Sequence, residues 1–222
     1  MITGVSCNSL TRLSGFFYLL VVLTGIFSLM YVPSQFVQWD DPAQTLAQLN
    51  SKRFLFRLGI LSSLLCYTFF LFLGWSLYAL LQEVHKPVAI IMLSLVLCSV
   101  PVAVFSAHYL IHMLSLLEET RYAVGELEPL VMNALLAYSD GLFTASLFWS
   151  TWLFPFGYLV YRADFLPRWL GILLMVGSAC YILYFAGTLL FPESPVVGYL
   201  RRPASVAEIV TCLWLLIAGS RN

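Results

Sequence analysis

The chain has 222 residues and a formal net charge of zero; 61% of its residues are hydrophobic and 10% are charged. Soluble domains average about 25% charged residues, so the composition excludes a large soluble helical core. The zero net charge, with no basic cluster, excludes a nucleic-acid partner.

A membrane helix needs about 20 mainly apolar residues, and six stretches meet or approach that length. The first covers 14–32, uncharged, between Arg12 and Pro33. A cleavable signal peptide would have a shorter apolar region, about 7–15 residues, followed by a small-x-small site. "SLMYVPSQF" has no such site, so the segment reads as a retained anchor. In "DDPAQTLAQLNSKRFLFRLG" Asp41 is a natural N-cap and Pro42 a natural first helical residue. They predict a short amphipathic helix on the membrane surface. The second span covers 55–81, and "QEVHKP" makes a tight connection to a third over 88–114, which Pro87 opens. Pro101 inside that span predicts a kink or a break.

A polar stretch from Glu118 to Glu128 follows, and Pro129 starts the helix that becomes the fourth span, 142–161. "RADFLPR" leads to the fifth, 169–191, and a loop holding Arg201 and Arg202 leads to the sixth, 204–219. The expected fold is therefore all-α: a single membrane domain over 1–222, with six transmembrane helices in one bundle. The termini then share a side with Arg12, Lys86, Arg162, Arg168 and Arg221. Lys52, Arg53, Arg57, Arg121, Arg201 and Arg202 lie opposite, spread over longer segments. Lys and Arg density in short loops marks the cytoplasmic side, which places both termini there.

"RLSGFFYLLVVLTGIF", "FLFRLGILSSLL", "FLPRWLGILLMVGSACYI" and "AEIVTCLWLLIAGS" carry a resemblance to a group of small bacterial six-span proteins. The group is domain-of-unknown-function family 4386. The resemblance covers nearly the whole chain and implies a polytopic helical protein of the cell (inner) membrane, with no established activity. The third span departs from the group's Leu/Ala-rich pattern, so its histidines lie outside the resemblance.

Ionisable groups inside a membrane suggest function or a buried partner. By helical rise, His108 and Asp140 lie about 30 Å from the inner ends of their helices and Arg57 about 36 Å. All three therefore sit near the outer rim of a hydrocarbon core about 30 Å thick. Glu208 lies only about 15–20 Å from its inner end, where a carboxyl must be neutral or paired. Arg57 is the expected partner and His108 the second choice. A polar pocket near the outer face, lined by Arg57, His108, Asp140 and Glu208, is the expected ligand site.

His108 and His112 share a helix face and are weak metal candidates. A site needs a third ligand, from Glu118, Glu119 or Asp140, and no spacing demands one. No metal and no cofactor are therefore expected. There is no GxSxG elbow, and Ser6 lies in the N-terminal tail. Ser62, Ser63, Thr68, Ser146, Ser150 and Thr151 read as helix–helix contacts, and Trp75, Tyr78, Tyr161 and Trp169 as interfacial belts. The five cysteines form no CxxC pair, so neither a disulfide framework nor a zinc knuckle is implied. No catalytic centre is legible. The expected function is a binding, sensing or scaffold component of the lipid bilayer with a small polar ligand or a partner membrane protein. The alternative is a small secondary transporter, for which "RLGIL" at 57–61 and "RWLGIL" at 168–173 hint at an inverted repeat. A metal-dependent membrane hydrolase is the third class.

Overall fold

The computed structural model describes residues 7–118 and 124–219, and every regular element in them is helical. Ser6, Glu119, Arg121 and the last three residues lie outside the described residues. Helix α1 (Cys7–Gly25) continues through a π-helical turn (Ile26–Tyr31) into one further turn, α2 (Val32–Ser34). Then follow α3 (Pro42–Ser51), α4 (Arg53–Glu118), α5 (Val124–Arg162) and α6 (Arg168–Leu190). A 3₁₀ turn (Val197–Arg201) leads into α7 (Arg202–Ile217).

Helix α3 forms as its sequence dictates. Pro42 takes the first turn, and the Asp41 carboxylate accepts the Gln44 backbone N–H at 2.9 Å. This satisfies one of the donors that a helix start leaves free. Thr45, Leu46 and Leu49 are its buried face.

Helix α4 has 66 residues, which would reach about 100 Å if straight. It is not straight. His85 alone has a non-helical backbone (φ −163°, ψ 91°), and the chain folds back there into two antiparallel arms. The His85 ring caps the second arm by accepting the Val88 N–H at 3.4 Å, and Pro87 supplies a residue that needs no partner. Residues equally far from His85 meet across the arms. The Arg53 guanidinium donates to the Leu117 carbonyl at 2.8 Å, and Gly74 lets Val96 pack directly on the opposite backbone. Pro101, expected to kink or break the second arm, leaves the dihedrals helical. The residue is exposed.

Helix α5 starts earlier than Pro129 marks and runs unbroken for 39 residues. It pairs with α6 about the turn at Asp164. Gly157 and Gly171 bring the two backbones together, and the Ser178 hydroxyl donates to the Ser150 carbonyl at 2.7 Å. Phe143 stacks on Phe185 with centroids 4.8 Å apart. Close approach at small residues is how apolar helices gain contact when no hydrophobic force separates them from lipid. Helix α1 runs antiparallel to the first arm, where the Ser62 hydroxyl donates to the Thr24 carbonyl at 3.1 Å. It also runs antiparallel to α7, where Gly15 meets the backbone of Leu215 and Leu216. The other expected contact hydroxyls (Ser63, Thr68, Ser146, Ser150, Thr151) donate to carbonyls of their own helices.

At the centre Trp152 of α5 stacks on Phe156 at 5.3 Å and meets Phe70 edge-on at 5.1 Å, with Tyr18 beside them. The outer faces are apolar instead of charged: Phe72, Ile91, Phe154, Val176, Leu183 and Val206 are all exposed. A contiguous apolar exterior of that kind suits lipid, not water. Among the described residues four helices are long and apolar enough to cross a membrane: Cys7–Ser34, Arg53–Glu118, Gly125–Arg162 and Arg168–Leu190. Helix α7 has 16 residues, short of that length.

Candidate functional site

The four residues expected to line a polar pocket occupy different surroundings. Arg57 is exposed on the first arm and pairs with Glu118 at the end of the second. It is not the partner of Glu208. The reason is distance along the bundle. Cys66 lies on the same arm within the electrostatic reach of Glu208, and Arg57 is about 13 Å of helical rise further out. That exceeds an arginine side chain. His108 is exposed on the second arm, its ring stacked near Phe105 at 6.4 Å, and Asp140 is exposed on α5. His112 is exposed one turn beyond His108. Among the described residues no three of His, Cys, Asp and Glu come together as a metal site. Glu119 lies outside them.

Glu208 of α7 is partly buried and faces inward. Its carboxylate accepts the hydroxyl of Tyr18 on α1 at 3.3 Å, and the Tyr18 side chain is 1% exposed. The cation whose field reaches Glu208 is Arg201, in the 3₁₀ turn just before its own helix. The Arg201 guanidinium lies over the Tyr181 ring of α6, 5.6 Å from its centroid, a cation–π arrangement. A carboxylate and two phenols from α1, α6 and α7 thus form a polar cluster, with the exposed Arg201 guanidinium of the 3₁₀ turn at its edge. Tyr18 is the partner that sequence reasoning missed. It lies 190 residues away in an uninterrupted apolar run, and its only signal was a hydroxyl there.

The space at the end of the molecule near Arg57 is apolar. A cavity of about 350 Å³ opens there, and none of Arg57, His108, Asp140 or Glu208 lines it. Its wall comes from the π-helical turn (Ser28, Leu29), from α2 and the residues after it (Val32, Phe36), and from α3 (Thr45, Leu49). The first arm adds Phe56, Gly59 and Ile60, the second Leu110 and Met113, and α5 Leu135, Tyr138 and Leu142. Each element contributes for a local reason. Pro33 has no N–H to return to the preceding turn, and the wider π-helical turn lies directly before it. Gly59 admits Val32, since a Cβ there would lie 2.6 Å from the valine Cγ1. Helix α3 is held over the cavity by Thr45, whose hydroxyl donates to the Gln38 carbonyl and accepts the Gln38 N–H, both at 3.0 Å. Single π-turns within α-helices recur at functional sites, and a small-molecule pocket is concave, mostly apolar and about 300–1,000 Å³.

These features define the class: an α-helical membrane protein with an apolar cavity at one end and a single carboxylate among phenols in its interior. The chain belongs to the family described as Domain of unknown function (DUF4386), whose family model matches residues 13–219. No curated protein and no solved structure matches it.

Proposed function

We propose that the chain is a six-pass protein of the cell membrane, with both termini cytoplasmic, that binds a small ligand in the cavity at its outer end. It acts as a binding, sensing or scaffold component. The observation that carries this reading is the cavity itself, about 350 Å³ walled by elements from five parts of the chain. Six crossings are favoured by the fold-back at His85, which makes two passes of α4. They are favoured again by α7 lying antiparallel to α1 through Gly15 and Tyr18. Helix α7 completes its crossing together with the 3₁₀ turn Val197–Arg201 before it.

Helix α3, exposed on one side and buried through Thr45, Leu46 and Leu49 on the other, covers the cavity as an interfacial helix. A ligand entering beneath it changes what α3 packs against, which gives a sensor its moving part. Leu135, 7% exposed, offers the position for a test, because Trp in its place fills the cavity. The protein extracted from native membranes is expected to carry a small molecule in native mass spectrometry, and Leu135→Trp to lose it. Equal retention by both would place the ligand elsewhere.

A transporter is the second reading, favoured by Glu208. A carboxylate in the interior, hydrogen-bonded from a neighbouring helix, is the kind of group that secondary transporters place on their ion or substrate path. "RLGIL" and "RWLGIL" open helices at opposite ends of the molecule, the placement an inverted repeat needs.

A further inference from the structure

The floor of the cavity holds an unsolved hydrogen-bond account. Ser28 lines the cavity, but its hydroxyl donates to Thr24 O at 2.8 Å. Thr45 is occupied by Gln38 in both directions. Tyr138 also lines the cavity, is 6% exposed, and its buried hydroxyl has no hydrogen-bond partner. The hydroxyl of Tyr67, 2% exposed, is unpartnered as well. Tyr67 and Ser63 face Tyr138; the Ser63 hydroxyl donates to Gly59 O at 3.1 Å, and its oxygen is not in hydrogen-bond geometry with Tyr138. Two phenol O–H groups therefore sit side by side in apolar surroundings, and neither is in hydrogen-bond geometry with an acceptor among the described residues. Buried polar groups are satisfied in the great majority of proteins, and an exception asks for a missing partner. A phenol both donates and accepts, and what each of these O–H groups lacks is an acceptor, so the partner inferred is an acceptor.

Among the described residues no charged side chain lines the cavity, so the acceptor is uncharged: an anionic head would enter without a counter-charge, at a large desolvation cost. Apart from Tyr138 and the hydroxyls of Ser28, Ser34, Thr45 and Ser139, the walls are mainly Leu, Ile, Val, Met and Phe, so the rest of the ligand is apolar. We infer that the cavity takes a neutral amphiphile drawn from the bilayer, with a carbonyl oxygen that accepts from Tyr138, assisted by Tyr67, and an apolar chain against Leu110, Met113 and Leu135. The inference rests on the binding reading above and adds to it the chemistry of the head group.

The test uses the full chain in lipid nanodiscs and two photoreactive probes. One is a ten-carbon alkyl diazirine ending in a methyl ketone, and the other is the same chain without oxygen. Labelled residues are mapped by mass spectrometry. In the wild type both probes are expected to label the cavity walls, the ketone about fivefold more, the worth of one neutral hydrogen bond. Tyr138→Phe is expected to bring the ketone down to the hydrocarbon level and leave hydrocarbon labelling unchanged, which also reports that the variant is folded. Tyr67→Phe is expected to give a smaller loss of the same kind. Ketone labelling that survives Tyr138→Phe overturns the inference, because the hydroxyls would then be satisfying one another, while the binding reading stands. Absence of both labels from the cavity in the wild type overturns the binding reading and this inference with it.

Discussion

Gly171→Leu is expected to prevent the α5–α6 pair from forming and to lower stability in detergent by upwards of about 3 kcal/mol. A Cβ at 171 would lie 2.5 Å from the Gly157 carbonyl oxygen and 2.5 Å from the Tyr161 backbone nitrogen. Neither can yield as a flexible side-chain tip would, since both are main-chain atoms of a continuous helix. The reciprocal site is equally tight, a Cβ at 157 meeting the Gly171 carbonyl oxygen at 2.8 Å. Separating the helices would also break the Ser178–Ser150 hydrogen bond. Gly125→Ala is the control: nothing lies within 4 Å of its Cβ, and alanine favours a helix by up to about 1 kcal/mol over glycine. Thermal unfolding of the two variants should move in opposite directions. A Gly171→Leu protein as stable as the control would mean that the two backbones never touch.

Trp152→Ala is the second large effect, about 3–5 kcal/mol for removing a buried tryptophan. The side chain is 1% exposed and joins α5 to α1 and to the first arm of α4 through Tyr18 and Phe70. In a membrane the loss is chiefly of packing, because lipid tails are as apolar as the protein interior. The void left behind forfeits the dispersion contacts of every ring that lined it. Trp152→Phe, which keeps the stack on Phe156, should recover a large part of the loss. Unfolding in a graded denaturing detergent would rank wild type above Trp152→Phe, and Trp152→Phe above Trp152→Ala. An alanine variant level with the wild type would contradict the central aromatic cluster.

Much of the fold is legible in the sequence because membrane helices are written as long apolar runs and their ends as Pro, His and charged residues. "HKP" marks the fold-back at His85, and Asp41 with Pro42 marks the start of α3. The helix pairings are less legible. An apolar run states that a helix is buried or lipid-facing but not which neighbour it meets. A usable signal exists at small residues equally far from a turn: Gly157 and Gly171, or Ser150 and Ser178, about Asp164. The candidate site is the least legible part. Charged residues draw attention as ligands, yet Arg57 spends its charge on Glu118 at the surface. Glu208 turns instead to a phenol on α1. The cavity is built mainly from Leu, Val, Ile and Phe that look like any other core, and its polar members are scattered hydroxyls (Ser28, Ser34, Thr45, Tyr138 and Ser139) that no spacing joins.

The proposed six crossings underlie the proposed outer position of the cavity and the lipid source of its ligand, and α7, with 16 residues, is the helix whose crossing length alone does not supply. Reporter fusions after Glu126, after Glu193 and at Asn222 measure it directly. Six crossings with cytoplasmic termini would give an extracytoplasmic signal at Glu126 and Glu193 and a cytoplasmic one at Asn222. The same signal at Glu193 and Asn222 would mean that α7 does not cross, and would contradict the six-pass arrangement.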